Sequence, residues 1–250
     1  NSLMNRYGLI GRTLKHSFSK TYFTKKFEEE GITDCVYDNF ELKTIDEFPL
    51  LFTANPGIKG LNITIPYKEE VVQYLTKKNA IVEAIGACNC IRVEGEELLG
   101  YNTDVIGFRN SLAPLLKPHQ KKALILGTGG ASKAVRYVLE EMNISYRLVS
   151  RRKEEGQYGY DDIGEDILST HHLIINTTPL GMYPNVDADP PMPYQFITAK
   201  HLLFDLIYNP EKTKFLAEGE KQGAQICNGH QMLIEQAEES WRIWSMNHDL

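Results

Sequence analysis

The sequence predicts an α/β protein with two domains, the first of them a mostly parallel α/β domain. Along the 250 residues, short apolar runs alternate with helical stretches. That order is typical of parallel sheets covered by helices on both faces. Near the middle of the chain, an apolar run, a glycine-rich turn and a helical stretch follow one another directly, which predicts a second, nucleotide-binding domain.

The composition excludes several classes of function. The hydrophobic fraction of 42% and the charged fraction of 24% are ordinary for a soluble globular protein. The net charge of −6 argues against a general surface for nucleic acid or anionic membranes. No apolar run approaches the roughly 18–20 residues that span a bilayer. No secretory signal is visible at the start, so we expect a cytoplasmic protein.

The four cysteines are few and scattered. Cys88 and Cys90 flank one residue, which is not the usual spacing of zinc ligands. We therefore expect free thiols and no metal site.

The first half of the chain is expected to alternate between strands and helices. Strands are expected at 7–10, 36–40 and 58–65, with a hairpin of 90–93 and 98–99. Helices are expected at 20–30, 44–51, 66–75 and 105–116. Pro66 suits the first turn of a helix, because its φ is fixed and its nitrogen has no proton to donate. A soft domain boundary is placed near Asp104.

Polar side chains lie at the end of the third expected strand and just beyond it. Thr64 can donate and accept hydrogen bonds, and Lys68 carries a proton that can move. The competing interpretation is an ordinary corner with a solvated lysine. Asp104 is a candidate carboxylate partner for Lys68, although an acid there also suits the dipole at a helix N-terminus.

Two serines alternate around Phe18. Because Ser17 and Ser19 are two residues apart, both hydroxyls can face the same way, and two neutral donors suit a carboxylate. The competing interpretation is that Ser19 caps the helix that follows.

The second half is expected to continue the alternation. Strands are expected at 122–126, 146–149, 173–176, 202–206 and 224–227. Helices are expected at 131–142, 161–168, 212–222 and 229–244. The proline-rich loop 183–193 is expected to be a mobile flap. On the last helix, Gln236 could reach a ligand or be solvated, while Trp241 and Trp244 are expected to pack.

The glycine-rich turn predicts a nucleotide site. Gly127, Gly129 and Gly130 permit a tight turn and close approach of the backbone to a pyrophosphate. The helix that follows, near Ala131, offers N–H groups and a positive dipole to phosphates. A glycine turn used only for packing is the competing interpretation.

The end of the next expected strand favours NADP over NAD. NAD sites place an acidic residue about 20 residues beyond the glycines. Here Ser150, Arg151 and Arg152 occupy that position, and the guanidinium groups suit a 2′-phosphate. Two arginines on a solvated turn are the competing interpretation.

Taken together, these motifs resemble the shikimate dehydrogenase family over almost the whole chain. The motifs that carry the resemblance lie at 16–19, 62–68, 86–89, 102–104, 127–132, 176–182 and 229–237. The departures are small: Ser150 and Arg152 flank Arg151 where the family has Asn and Thr, Thr13 stands where proline is usual, and Thr128 replaces an alanine.

The resemblance implies two α/β domains facing a cleft. It assigns 1–104 and 229–250 to a substrate domain and 105–228 to a Rossmann-like NADP-binding domain. It implies NADPH-dependent, reversible reduction of 3-dehydroshikimate to shikimate, a step in the biosynthesis of aromatic amino acids. Small-molecule substrates and a monomer or homodimer are therefore expected.

The resemblance also implies roles for individual residues. Lys68 and Asp104 match the catalytic pair. The residues expected to bind substrate are Ser17, Ser19, Thr64, Asn89, Tyr208 and Gln236. The residues expected to bind the cofactor are Gly127, Gly129, Gly130, Ala131, Ser150, Arg151, Arg152, Thr177 and Met232.

Other functions stay open at this point. A related enzyme could also oxidise quinate or use NAD, and the absent acid after Val149 argues against NAD. A non-catalytic NADP-binding regulator would need neither Lys68 nor Asp104. A folate dehydrogenase would not explain Ser17, Ser19 and Gln236.

Overall fold

The structure is a computed structural model that describes residues 3–245. They form two compact units, one of 3–103 with 237–245 and the other of Asp104–Gln236. Residues 1–2 and 246–250 lie outside the described part, and so do the outer ends of the predicted domain ranges. Those ranges stay predictions. No helix within 3–245 combines the length and the apolar character needed to cross a membrane.

The first unit is built on a six-stranded mixed sheet with the order β2-β1-β3-β5-β6-β4. Its strands are β1 (Asn5–Gly11), β2 (Cys35–Glu41), β3 (Ile58–Ile63), β4 (Lys77–Lys78), β5 (Cys90–Glu94) and β6 (Glu97–Tyr101). Its helices are α1 (Ser19–Glu29), α2 (Leu50–Ala54) and α3 (Ala80–Ile85). β1 is parallel to β2 and β3, whereas β5 is antiparallel to both β3 and β6. The ends of β1 and β3 and the start of β5 therefore share one edge of the sheet.

The predicted helix at 66–75 is wrong. The chain forms a turn after β3, with a cis peptide bond between Ile65 and Pro66, and then a 3₁₀-helix at Glu70–Tyr74. Tyr67 explains the difference, since its buried hydroxyl donates to the carbonyl of Leu42. Its backbone N–H donates to Thr64 at 3.1 Å. These contacts hold a turn where the local pattern favours a helix.

Two other predicted helices are cut short by proline. The helix expected at 44–51 is a 3₁₀-helix at Ile45–Glu47 followed by α2, whose N-cap is Pro49. The helix expected at 105–116 becomes 3₁₀ at Ala113–Leu115, where Pro114 lies. Proline cannot donate the backbone hydrogen bond of a helix interior, so each helix ends or restarts at that position.

The second unit is built on a five-stranded parallel sheet with the order β11-β10-β9-β7-β8. Its strands are β7 (Lys122–Leu126), β8 (Ser145–Val149), β9 (Leu173–Asn176), β10 (Leu202–Asp205) and β11 (Gln225–Cys227). Its helices are α4 (Thr103–Leu112), α5 (Gly130–Glu141), α6 (Glu165–Leu168), α7 (Lys214–Lys221) and α8 (His230–Ser245), of which α4 begins and α8 ends in the first unit. The strand order reverses between β7 and β9, and nucleotides bind at such a switch point in doubly wound sheets. The predicted α/β fold class is confirmed.

Aromatic side chains form the core beside α8 in the first unit. The ring of Trp244 lies 4.9 Å from that of Tyr7 and 5.5 Å from that of Phe23. Its indole N–H donates to the carbonyl of Ile91 at 3.0 Å. Trp241 lies 5.2 Å from Phe27. Both tryptophans pack, as the sequence predicts, and they fasten the end of α8 to the sheet.

Gly60 on β3 leaves room for the Trp244 ring, because a Cβ at this position would collide with the indole. We expect Gly60→Ala to lower the free energy of unfolding by about 1–3 kcal/mol, the usual cost of overpacking a core. Chemical denaturation measures this. Gly164→Ala is the control, since nothing lies within 4 Å of the added Cβ. An equal loss in both variants would contradict this account of Gly60.

Candidate active site

The sheet edge of the first unit gathers several predicted site residues. The backbone N–H of Thr64 donates to Ile10 at 2.8 Å, and that of Ile63 donates to Asn89 at 2.9 Å. The end of β3 is thus bonded to the end of β1 on one side and to the residue before β5 on the other. The loop that carries Ser17, and Ser19 at the start of α1, follow β1 at the same edge.

Lys68 lies on a turn that is anchored on both sides. Its carbonyl accepts from the backbone N–H of Cys88 at 2.8 Å. The neighbouring Tyr67 is buried, and its hydroxyl donates to the carbonyl of Leu42, whereas Lys68 is half-buried. The backbone at Lys68 is therefore fixed, and it is bonded to the residue that precedes Asn89. The lysine side chain itself is flexible.

The two serines differ in their surroundings. Ser17 is half-buried, and its hydroxyl lies 3.4 Å from Asn39 Oδ1. Ser19 is buried. The N-cap of α1 is Phe18, so the interpretation of Ser19 as a helix cap is wrong.

Asn89 is a buried amide with an assigned orientation. Its Oδ1 accepts from the backbone N–H of Thr103 at 2.6 Å, and its Nδ2 donates to Thr103 Oγ1 at 3.0 Å. A backbone N–H can only donate, so the oxygen must face it. Asp104 follows Thr103 directly, is 8% exposed and lies in the first turn of α4. It belongs to the second unit, whereas Lys68 belongs to the first.

The glycine-rich turn lies at the switch point of the second sheet. Gly127 has φ +107°, and a Cβ there would meet Thr177 Oγ1 at 2.6 Å. Thr177 in turn donates its backbone N–H to Leu126 at 2.9 Å. The N-cap of α5 is Gly129, and Gly130 and Ala131 open the helix. Because glycine has no side chain, the first N–H groups of this helix are open to a phosphate.

A cavity of about 540 Å³ extends from this turn. The side chains that matter to its chemistry are those of Thr128, Ser150, Arg151, Arg152, Glu154 and Tyr160. Both arginines are exposed, and the backbone N–H of Arg152 donates to Ser150 Oγ at 3.3 Å. Burial raises the pKa of Tyr160 to about 12, although Arg151 acts in the opposite direction. Positive charge and open N–H groups fit a phosphorylated dinucleotide.

Sequence reasoning missed Glu154 and Tyr160. They join the cavity because the segment after β8 folds back on that strand. Tyr158 donates its backbone N–H to Leu148 at 2.9 Å, and Ser150 donates to Tyr158 at 3.0 Å. The Lys153–Asp162 ion pair at 2.8 Å closes the same segment. No spacing of residues in the sequence indicates that this segment folds back on β8.

Sequence reasoning also missed Asp205, at the end of β10. This fully buried carboxylate accepts from Thr213 Oγ1 at 2.6 Å, from the backbone of Ile207 at 3.0 Å and from Asn176 Nδ2 at 3.1 Å. Asn176 Oδ1 in turn accepts two bonds from Thr178. Burial raises the pKa of Asp205 to about 6, while its three donors act in the opposite direction. The carboxylate fixes the loops after β9 and β10.

The remaining predicted residues also lie in the second unit. Tyr208 is half-buried, and burial raises the pKa of its phenol. Gln236 is buried, so its interpretation as a solvated helical residue is wrong. Its Nε2 donates to Leu233 within α8 at 2.9 Å. The carbonyl of Met232 packs so closely on Gly107 that a Cβ there would lie 2.5 Å away.

Comparison with known proteins identifies the family. The family model described as the shikimate dehydrogenase substrate binding domain matches residues 9–91. The shikimate dehydrogenase (NADP(+)) of Caldicellulosiruptor saccharolyticus is 37% identical over 96% of this chain and 92% of its own length. The chain belongs to the shikimate dehydrogenase family.

Solved structures of the family share this fold. The shikimate dehydrogenase of Aquifex aeolicus has a TM-score of 0.86 and 32% identity, over 98% of this chain and 93% of its own. That of Thermus thermophilus, solved in complex with NADP(H) and shikimate, has a TM-score of 0.85 and 26% identity, over 98% and 95%. The predictions of the family and of an NADP-dependent oxidoreductase are confirmed.

The cysteines form no disulfide bond in this family member. All four cysteines are free thiols, as expected. Among residues 3–245, no group of three His, Cys, Asp or Glu side chains could hold a metal ion.

The raised pKa of Asp205 gives a pH dependence of known sign. Its pKa is about 6 in the folded protein and about 3.9 in the unfolded chain. The carboxyl therefore contributes stability that is present below pH 4 and is lost as the pH rises through 6. We expect this contribution, of at most about 3 kcal/mol, to disappear in Asp205→Asn.

Chemical denaturation between pH 4 and 7.5 measures it. The exposed carboxylate Asp187 provides the control Asp187→Asn. If Asp205→Asn and the wild type show the same pH dependence of the free energy of unfolding, the assignment is wrong.

Proposed function

We propose that this chain catalyses the NADPH-dependent, reversible reduction of 3-dehydroshikimate to shikimate. The turn that carries Lys68 supports the proposal most, because its backbone is anchored at Cys88 and Tyr67, beside Asn89. In a member of this family, such a rigidly based lysine is suited to proton transfer.

The chemistry requires one proton and one hydride to move. NADP supplies the hydride acceptor when it is bound. In the oxidation direction, Lys68 takes the proton of the substrate hydroxyl, and in the reduction direction it returns that proton. Asp104 serves as the carboxylate partner of Lys68 and of the reacting hydroxyl.

Substrate recognition is divided by chemical type. Ser17 and Ser19 donate to the carboxylate, for which two neutral hydroxyls are suited. The ring hydroxyls contact Thr64, Asn89, Tyr208 and Gln236. The rigid, buried amide of Asn89 supports this role. Its Nδ2 has two N–H groups, and the bond to Thr103 Oγ1 uses one of them.

Cofactor recognition is assigned to the second unit. The backbone at Gly127, Gly129, Gly130 and Ala131 binds the pyrophosphate, and Thr177 and Met232 line the cofactor. Ser150, Arg151 and Arg152 bind the 2′-phosphate, which the cavity around them supports. We assign 105–228 to the NADP-binding domain and the flanking segments 1–104 and 229–250 to the substrate domain. A cytoplasmic monomer or homodimer with small-molecule ligands completes the proposal.

The decisive experiment follows the absorbance of reduced nicotinamide with purified protein, shikimate and either NADP or NAD. We expect fast reduction of NADP, little of NAD, and little activity with quinate. Activity with both cofactors would overturn the role of the arginines but keep the reaction. A folded protein that binds NADP without turnover would overturn the proposal in favour of a regulator.

Lys68→Ala tests the proton transfer. General acid–base catalysis contributes about 10²–10⁴-fold to rate, so we expect kcat to fall by that factor. The KM for shikimate should change little, because the lysine acts on the reacting proton. Lys59→Ala, an exposed position on β3, is the control. An unchanged kcat in Lys68→Ala would remove Lys68 from the mechanism.

Arg151→Ala and Arg152→Ala test cofactor selection. A hydrogen bond to a charged group is worth about 1.5–3 kcal/mol, so we expect each change to weaken NADP by roughly 10- to 100-fold. NAD, which lacks the 2′-phosphate, should be affected far less. Titration of both cofactors measures the ratio, with Lys212→Ala as a control outside the cavity. Equal losses for NADP and NAD would contradict 2′-phosphate recognition.

A further inference from the structure

The segment 178–180 forms part of the wall of the cavity that is proposed to bind NADP. It follows β9 and lies outside the sheet, so strand pairing does not fix it. Its middle residue is a proline, which has no N–H, so its backbone donors are the N–H groups of Thr178 and Leu180. Both donate to side chains, that of Thr178 to Asn176 Oδ1 at 3.0 Å and that of Leu180 to Thr178 Oγ1 at 3.2 Å. The shape of this wall therefore depends on a short chain of polar side chains.

This chain of hydrogen bonds has a fixed direction. A backbone N–H can only donate, so Asn176 turns its oxygen toward Thr178. The same oxygen accepts the Thr178 hydroxyl proton at 2.6 Å. The amide nitrogen of Asn176 must then face the other way, where it donates to Asp205 Oδ1 at 3.1 Å. Asn176 and Asp205 are both fully buried, so bulk water does not compete for these bonds.

Asp205 is held independently of the segment 178–180. Its Oδ1 also accepts from the backbone N–H of Ile207 at 3.0 Å, and its Oδ2 accepts from Thr213 Oγ1 at 2.6 Å. Thr213 is the N-cap of α7. One oxygen of the carboxylate thus serves Asn176 and the other serves α7, so the two connections can be removed separately.

The same loop also touches the glycine-rich turn. A Cβ at Gly127 would lie 2.6 Å from Thr177 Oγ1 and 3.0 Å from Thr178 Cγ2. Thr177 Oγ1 donates to the carbonyl of Leu126 at 2.6 Å. A displaced loop would therefore change both the wall and the glycine turn of one cavity.

We propose that Asn176 and Asp205 are positioning residues for the cofactor: Asp205 orients Asn176, and Asn176 holds 178–180 in the shape that binds the adenosine half of NADP. The inference deepens the proposed function, which places NADP in this cavity, and it rests on that function. The adenosine half is concerned because it carries the 2′-phosphate assigned to the two arginines of the same cavity. Neither positioning residue is among those that line the cavity, so both act through Thr178.

Titration calorimetry with 2′,5′-ADP, NADP and NAD tests the proposal on the folded variants. In Asn176→Ala, we expect all three ligands to bind roughly 3- to 30-fold more weakly, as the loss of one or two hydrogen bonds predicts. NAD should be affected as much as NADP, because the wall holds a part that they share. At saturating NADP, kcat should stay close to that of the wild type, because the positioning residues act on cofactor binding.

Two variants of Asp205 separate position from charge. In Asp205→Asn, the side-chain oxygen can still accept from Asn176, so NADP affinity should stay close to that of the wild type. In Asp205→Ala it cannot, and the loss should match that of Asn176→Ala. An equal loss of affinity in both Asp205 variants would overturn the proposal, because the charge rather than the orientation of Asn176 would then be responsible.

Thr213→Val is the matched control for a merely structural role. It removes a hydrogen bond from the same carboxylate and the cap of α7, so it should lower the free energy of unfolding. It leaves the bond to Asn176 in place, so NADP affinity should be unchanged. The proposal is wrong if Thr213→Val weakens NADP as much as Asn176→Ala does, or if a folded Asn176→Ala binds NADP like the wild type.

A second pair of variants serves if Asn176→Ala does not fold. Thr178→Val removes the hydroxyl and should weaken NADP, whereas Thr178→Ser keeps it and should not. Equal NADP affinities in this pair would overturn the proposal.

The failure of this inference is distinguishable from that of the proposed function. A wild type that binds NADP without oxidising shikimate would overturn the proposed reaction, while the binding measurements would still decide on Asn176. A wild type that oxidises shikimate with NADP, together with normal binding in Asn176→Ala, would overturn this inference alone.

Discussion

The arrangement of the first unit at the end of β3 depends on the hydrogen bonds of the Asn62 side-chain amide. It bonds to Tyr37 on β2, to the carbonyl of Asn89 before β5 and to Ser240 on α8. An unpaired polar group costs about 1–3 kcal/mol when buried, so these three elements are strongly favoured in one arrangement. The end of α8 is thereby tied to the sheet edge by a polar contact, in addition to the packing of its tryptophans.

Asp205 has the corresponding part in the second unit. Asn62 and Asp205 both lie at or near the end of a parallel strand, and both bond to residues that are far away in the sequence. Asp205 reaches Asn176, and through it Thr178, in the loop after β9. Loops over a sheet edge carry the chemistry in α/β proteins, yet they have few backbone partners of their own. Buried polar side chains supply the missing bonds and give the loops a defined shape.

The sequence alone predicts the parts of this fold that local chemistry determines. The strands 122–126 and 173–176 are predicted to the residue, because they are buried apolar runs bounded by polar residues or glycine. Gly127 and Lys68 are also predicted as site residues from local motifs. The turn at Tyr67, and the entry of Tyr160 and Glu154 into the cavity, depend on contacts between distant residues. No spacing in the sequence indicates those contacts.

The charged residues that line the cavity lie on the segment after β8. The chain carries a net charge of −6, so its overall field does not attract an anionic cofactor. Exposed charges are largely screened beyond about 8–10 Å in physiological salt, and local geometry therefore decides. Lys153 is paired with Asp162. The cations among the residues that line the cavity are Arg151 and Arg152, and one acid, Glu154, also lines it. The fold-back of the segment after β8 thus concentrates positive charge beside the glycine turn. An acidic protein can in this way present a positively charged site to a phosphate.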